Sequence, residues 1–529
     1  MKYPIGIQSF EKIRQNGFVY VDKTALIYDL VTKGTIYFLS RPRRFGKSLL
    51  VSTLKAYFEG RKELFAGLAM EQLEQQWTKY PVFHIDFNGS NFTKEGTLES
   101  LLEKHISEWE RQYECPSTNY DYGIRFIKIL KQAHDKYGKR AVVLIDEYDK
   151  PLLDVIDTDH TIEINGERRP IEEENRDILK GFYSVFKAAD DDLQFVLLTG
   201  ETKFSQGGLF SGFNQHADIS IDHRYEALCG ITEDELYSYF DKSIKELSDE
   251  YDMGIPEMKE LLKQQYNGYH FSGKLTDIYN PFSLLNAFAF RHVDDYWFHI
   301  ATPEKLIHQL HHTNEDFDEL IRHSYDPSEF VDYMADIEKP LPLLYQSGYL
   351  TIKDNNWRHN SYEFDFPNNE VRKGFMTLIA NNYFQIKGNT GTWARDSVKA
   401  LQTADLERFR KLLTAFLADI PYTMRRKETE RERERYFHYT FYLLLRMISC
   451  YTVYTEKQQS EGRVDCIVEV PGYIYIFEFK LDGTAAEALA QINEKGYARP
   501  YAADARKLFR IGISFSSETG TIEDFAVEE

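Results

Sequence analysis

No run of about 18 or more apolar residues occurs, so the sequence predicts no membrane span. The opening residues, Met1-Lys2-Tyr3-Pro4, lack the apolar core of a secretory signal, and a cytoplasmic location is the expectation. Cysteine is scarce. Cys115, Cys229, Cys450 and Cys466 form no CxxC pair, which argues against a disulfide frame or zinc site and for reduced, packed thiols. Basic residues are outnumbered, 64 Lys and Arg against 84 Asp and Glu, for a net charge of −20. That balance excludes broad, non-specific adhesion to nucleic acid, while leaving room for a local basic groove and for carboxylates around a metal. Internal repeats are also missing.

What is present points to several domains, because 529 residues exceed what one hydrophobic core can organise. Aromatics reach 15%, with 36 Tyr and 37 Phe, so the cores should be rich in rings. In the first third, short apolar runs alternate with longer amphipathic stretches. The runs are Thr35–Ser40, Val82–Asp86, Ala141–Ile145 and Gln194–Thr199. This pattern predicts a parallel α/β sheet covered on both faces. The polar stretch Asp157–Arg176 reads as a surface insertion without apolar periodicity. From Thr232 the pattern turns helical, starting with a Thr232-x-x-Glu235 capping box. A helix near Leu343 should turn at Gly348 into a strand, with Tyr362–Phe366 as its partner, suggesting a winged-helix-like module. Arg425–Arg435 is a mixed-charge run and reads as a solvated helix face.

The strand Thr35–Ser40 leads into Arg41-Pro42-Arg43-Arg44-Phe45-Gly46-Lys47-Ser48, and a helix-like stretch runs from Ser48 to Leu54. This is the GxxxxGK[ST] phosphate-loop pattern with Arg41 at the first glycine position. Gly46 lets backbone approach phosphate, Lys47 supplies a point charge, and Ser48 offers a hydroxyl to Mg²⁺; the helix aims its positive end at the anion. Arg43 and Arg44 either add phosphate contacts or are exposed loop charges. Arg43 to Leu49 are the candidate ATP-binding residues of the loop. Downstream, the buried strand Val143-Leu144-Ile145 delivers Asp146 toward the Mg²⁺ shell and Glu147 toward the attacking water. Thr199, at a strand end, either senses the γ-phosphate or is an ordinary β-rich threonine before a turn.

A second constellation lies near the C-terminus, where Gly462-Arg463-Val464-Asp465 precedes Ile476-Phe477-Glu478-Phe479-Lys480. Strand alternation puts Glu478 and Lys480 on one face. A hairpin turning near Pro471-Gly472 would bring Asp465 beside them. Asp465 and Glu478 could then hold Mg²⁺ or Mn²⁺ against a phosphodiester, while Lys480 orients water or stabilises charge. Charges interrupting an apolar, aromatic strand would be costly without such a use. Gln491, on the following helix, is an accessory candidate; Glu434 and Glu456 are weaker sources of a further carboxylate. Arg463 either contacts phosphate or pairs with Glu461.

The stretches Gly17–Thr24, RPRRFGKSLL, LIDEYDKP, Leu228–Thr232, Tyr266–Phe271, Tyr279–Pro281 and QSGYLTIK resemble a bacterial AAA-ATPase-like family with a C-terminal PD-(D/E)XK nuclease domain. His270 stands where that pattern often has arginine. The resemblance implies an α/β multidomain protein. Its parts are a P-loop AAA-like ATPase domain over 1–230, a helical lid and winged-helix-like region over 231–385, a helical linker over 386–430 and a restriction-endonuclease-like α/β domain over 431–529. It implies ATP hydrolysis with Mg²⁺, a nucleic-acid partner that is DNA rather than RNA, and cleavage gated by the ATP state. A homo-oligomer is compatible with it, and so is a nucleotide-gated switch that binds nucleic acid or a partner without cutting.

Overall fold

The computed structural model describes the whole chain apart from 117–119, 157, 159, 165–166, 205–215, 299–320, 322, 332–339, 385–389, 421–439, 441–443, 445–452, 455–457, 460–461 and 464–465. It divides into two compact units, Met1–Val371 and Arg372–Glu529. No helix among the described residues is long and apolar enough to cross a membrane.

The first unit is built on five parallel strands: β1 (Ile36–Ser40), β2 (Val82–Asp86), β3 (Ala141–Asp146), β4 (Leu193–Gly200) and β5 (Ala217–Asp218). Their order is β2-β3-β4-β1-β5. Every residue of β3 is buried, as expected for a central strand with both faces covered. β4 lies between β3 and β1, so the end of β3 and the loop after β1 open onto the same carboxyl edge of the sheet. In open α/β sheets that edge is where ligands bind. The register sets Leu39 opposite Thr199 and Asp86 opposite Asp146.

The polar stretch after residue 157 carries regular structure despite its lack of periodicity. It forms a hairpin, Thr161–Ile164 with Glu167–Pro170, and leads into the helix Ile171–Tyr183. Ile162 and Ile171 pack with Val155 in a small core. Two isolated isoleucines anchor the segment without creating any period a sequence pattern can register.

Beyond the sheet, the helix Glu233–Glu250 begins at the predicted capping box, with both reciprocal bonds formed. Its side chains Leu236, Phe240 and Ile244 share a core with Leu262, Tyr266 and Leu284 of the next helices. A short helix, Leu341–Gln346, is followed by Gly348 at φ 87° and by an antiparallel ribbon. The ribbon pairs β7 (Thr351–Asn356) with β8 (Ser361–Asp365). A third strand, β6 (Ser324–Tyr325), has no counterpart in the sequence pattern, being only two residues long.

The second unit holds the helices Thr390–Gln402 and Leu406–Asp419, joined by the Trp393 indole donating to the Leu412 carbonyl at 2.9 Å. Its sheet runs in the order β9 (Val453–Tyr454), β10 (Cys466–Val470), β11 (Tyr473–Leu481), β12 (Lys507–Phe515) and β13 (Ile522–Glu528). β10 and β11 form the expected hairpin, turning through Gly472 at φ 85°. β11 and β12 are parallel, linked by the helix Ala485–Glu494. Gly512 is required there, since a β-carbon would run into the Ala485 carbonyl. The mixed-charge run Arg425–Arg435 lies outside the described residues.

One buried carboxyl links distant parts of the first unit. Glu370, in the first turn of the helix Asn369–Phe384, accepts from the Ser283 hydroxyl at 2.8 Å and from the Trp297 backbone at 2.6 Å. Burial lifts its pKa from 4.5 to about 8. The unfolded chain releases this proton near the ordinary value and the folded chain keeps it to about pH 8, so stability falls as pH rises between the two. Glu370→Gln should therefore be nearly neutral at pH 5 and should flatten the decline in melting temperature toward pH 8; an unchanged decline would place its origin elsewhere.

Candidate nucleotide and nuclease sites

The loop after β1 closes on Gly46, whose φ of 100° only glycine adopts freely, and whose missing β-carbon would face open space. The helix Lys47–Phe58 starts there, with its first backbone N–H groups unbonded within the helix as any helix start requires. The Lys47 ammonium is buried and donates to the Arg41 carbonyl at 3.0 Å. It also reaches the Pro42 carbonyl at 3.5 Å and the Glu147 carboxylate at 3.7 Å. Burial disfavours the Lys47 charge, but Glu147, Glu201, Asp146 and Asp149 together outweigh it and raise the pKa. A lysine that stays charged in the interior is what a phosphate requires.

At the opposite wall, Asp146 ends β3. The Ser48 hydroxyl and the Thr199 hydroxyl both bond to it, the latter at 2.6 Å. Burial nonetheless lifts its pKa, with Glu147 adding to the effect against the two hydrogen bonds. Glu147 has φ 54°, a strained value for a residue with a β-carbon, and this turns its carboxylate back toward Lys47. Thr199 thus sits on Asp146. Asp149 joins the site without any motif to single it out beyond its place in LIDEYDKP. Fully buried, it accepts from the backbones of Glu201 at 3.0 Å and Thr202 at 2.6 Å. Burial and the charge of Glu147 push its pKa up to about 7.

Arg41 shows why the loop tolerates losing its first glycine. Its guanidinium is buried, donating to the carbonyls of Ser40 at 2.9 Å and Ser220 at 2.7 Å. It also lies 4.2 Å from the centroid of the Phe271 ring. The following loop residues are each held by the region after residue 229. A β-carbon on Gly348 would strike Pro42 at 2.8 Å, and the Trp297 indole donates to the Arg43 carbonyl at 3.1 Å. Arg44 lies over Phe282, and Phe45 packs edge-on to Tyr269 and Phe271 while its carbonyl accepts from Gly230. The Arg43 side chain, 56% exposed, pairs with Glu201 at 2.5 Å. His270 is occupied by the Ile352 carbonyl at 2.6 Å and by Asp277 at 2.8 Å, both of them acceptors.

Beside Gly46 and Leu49 lies a mainly apolar cavity of about 100 Å³. Val19, Val21, Cys229 and Pro281 contribute to its wall. The stretch Gly17–Thr24 has a structural task beside it: Asp22 accepts from Thr24 and Ala69, and Lys23 pairs with Glu235 at 2.6 Å.

In the second unit, Glu478 and Lys480 project from one face of β11. The Gln491 amide bridges them, donating to Glu478 and accepting from Lys480, and the two charges stand 3.6 Å apart. Glu478 is 2% exposed and Lys480 30%, so the ammonium is the accessible member of the pair. Asp465 lies outside the described residues, as do Glu434, Glu456 and Glu461. Among the described residues no cluster of three or more metal-ligating side chains occurs.

A phosphate loop facing an acidic strand end on a five-stranded parallel sheet, followed by a mixed sheet bearing Glu-x-Lys, defines an AAA-ATPase-like protein with a nuclease-type C-terminal domain. Residues 4–210 match the family described as predicted AAA-ATPase, and residues 432–525 match the PD-(D/E)XK nuclease superfamily. The chain is 34% identical over 535 residues to an uncharacterized protein in the vnfD 5′ region of Azotobacter chroococcum mcd 1, covering 100% of this chain and 99% of that protein. The chain belongs to this family of AAA-ATPase-like proteins with a C-terminal PD-(D/E)XK domain.

Arg41→Gly would restore the usual phosphate-loop pattern and yet should harm the protein. Losing its buried bonds to carbonyl groups should cost about 2–4 kcal/mol in chemical denaturation and weaken ATP binding. A variant as stable as wild type would show that the guanidinium does not organise the loop.

Proposed function

We propose that the first unit binds and hydrolyses ATP, and that the second cleaves phosphodiester bonds of nucleic acid, DNA rather than RNA, under control of the nucleotide state. The observation that carries the first part is the convergence of Lys47, Ser48, Asp146, Glu147 and Thr199 around an open glycine turn. Lys47 and the backbone from Arg43 to Leu49 take the phosphates, with Arg44 as a flanking cation. The apolar cavity beside Gly46 suits the flat, apolar faces of a nucleobase. Ser48 and Asp146 are the side chains that would hold Mg²⁺, which supplies positive charge along the phosphates. Thr199 fixes Asp146 in place, and Glu147 orients the attacking water and draws its proton.

For the second activity, Asp465 and Glu478 would hold Mg²⁺ or Mn²⁺. Gln491 sets the rotamers of Glu478 and Lys480, and Lys480 stands ready to stabilise charge on the phosphate. The preference for DNA comes from the DNA-processing enzymes that the C-terminal domain resembles.

Lys47→Ala should abolish nucleotide binding, whereas Glu147→Gln should keep it and lose at least about 100-fold in turnover. Equal hydrolysis rates in wild type and both variants would refute the site. With Mg²⁺ or Mn²⁺ and labelled linear, circular and single-stranded DNA, Asp465→Ala, Glu478→Ala and Lys480→Ala should each stop cleavage and leave ATP binding intact. A wild-type protein that cuts neither DNA nor RNA, with or without ATP, would replace the nuclease with a nucleotide-gated binding switch.

A further inference from the structure

The acidic wall of the candidate nucleotide site contains a carboxylate to which the proposed function gives no role. Glu201 follows the end of β4, and its side chain is only 10% exposed. It pairs with Arg43 at 2.5 Å. Both partners have fixed backbones: the Trp297 indole holds the Arg43 carbonyl, and Asp149 holds the Glu201 N–H. Only the half-exposed Arg43 side chain is left with freedom to turn.

We propose that Glu201 is a positioning residue, a resting counter-ion that keeps Arg43 off the terminal phosphate and yields it to ATP but not to ADP. The inference rests on reading Arg41–Ser48 as the phosphate loop. Four carboxylates, Asp146, Glu147, Asp149 and Glu201, act on Lys47, and three of these, Glu201, Glu147 and Asp149, also act on Arg43. The two cations thus share an acidic wall, Lys47 paired with Glu147 and Arg43 with Glu201, beside which the proposal puts the γ-phosphate. Before nucleotide arrives, each cation has a carboxylate partner: Lys47 has Glu147, and Arg43 has Glu201. A γ-phosphate carries more negative charge than one carboxylate and presents several acceptor oxygens to a guanidinium fork, so it outcompetes Glu201. ADP lacks that group, and Arg43 stays where it is.

The exchange also has a place to be felt. Glu201 begins a segment in which the Lys203 N–H donates to the Gln346 side chain at 2.8 Å, on the helix that precedes the β7–β8 ribbon. Gln346 in turn donates to the carbonyls of Phe330 and Val331. Arg43 leaving Glu201 thus changes the charge at the root of a strand end bonded directly to that helix.

The test is a double-mutant cycle on the full chain, measuring affinities for ADP and for a non-hydrolysable ATP analogue with Mg²⁺ by calorimetry. The quantity read is the ratio of triphosphate to diphosphate affinity. Arg43→Ala should lower this ratio roughly tenfold, and Glu201→Gln should raise it by a similar factor, the size of effect expected when a single charge-assisted hydrogen bond is broken or made. The double variant should match Arg43→Ala alone. An equal shift for both nucleotides in Glu201→Gln, or the same shift persisting without Arg43, would overturn the latch and leave only a general electrostatic effect. Should Glu201→Gln fail to fold, Arg43→Ala still decides, because an unchanged ratio there removes the γ-phosphate contact. Failure of the phosphate-loop reading looks different: wild type would bind neither nucleotide, or Lys47→Ala would bind both as wild type does.

Discussion

The structure of the first unit depends on a buried guanidinium. Arg41 occupies the position where a phosphate loop usually has its first glycine, and a charge placed there must be satisfied or expelled. Its terminal nitrogens are satisfied by carbonyl oxygens from β1 and from the loop after β5, and Phe271 lies against its plane, while the buried Nε has no hydrogen-bond partner among the described residues. Those partners come from segments far apart in sequence. Phe271 is the partner that brings the region after residue 229 against the loop. Burial holds the Arg41 pKa below its usual value, with Cys229, Tyr345, Asp218 and Glu226 opposing the shift.

From this follows a phosphate loop that is gripped along its length rather than left free. Pro42, Arg43, Arg44 and Phe45 each meet a side chain or backbone group from Gly230 to Gly348. The motifs flanking the loop take their meaning from that grip. Gly230 and Gly348 are glycines because a β-carbon would run into Ile278 in one case and Pro42 in the other. Tyr269 and Phe271 are aromatic because they face Phe45. A loop so enclosed cannot change shape alone, so under the proposed function nucleotide binding and the arrangement of the helices after residue 229 would belong to one equilibrium.

The candidate nucleotide site is strongly acidic for a place proposed to receive phosphates. Asp146, Glu147, Asp149 and Glu201 crowd against Lys47 and Arg43, and the consequences appear as a pKa near 7 at Asp149 and an elevated one at Asp146. Under the proposed function, such a site would discriminate against anions that bring no positive charge with them and favour a metal-bound nucleotide. The overall charge of −20 therefore says little about either active region. In the second unit the same economy appears at smaller scale: one amide, Gln491, fixes both a buried carboxylate and a partly exposed lysine.

Local patterns along the chain are enough to specify the parallel strands, the phosphate loop, the Asp146-Glu147 pair, the capping box at Thr232 and the β10–β11 hairpin bearing Glu478 and Lys480. Apolar runs of strand length, a glycine before Lys-Ser, carboxylates at a strand end and alternation across a turn are all readable within a few residues. Three-dimensional packing settles the rest: what Arg41 does, that Glu201 and Asp149 join the site, that Thr199 bonds Asp146, and that the stretch after residue 157 folds on Ile162 and Ile171. Each of these depends on partners remote in sequence or on single apolar anchors, and neither leaves a period. Arg41 bonds residues 179 and 184 positions away, a distance at which no local spacing carries information. Packing chose its partners, and the chain had to fold before they existed.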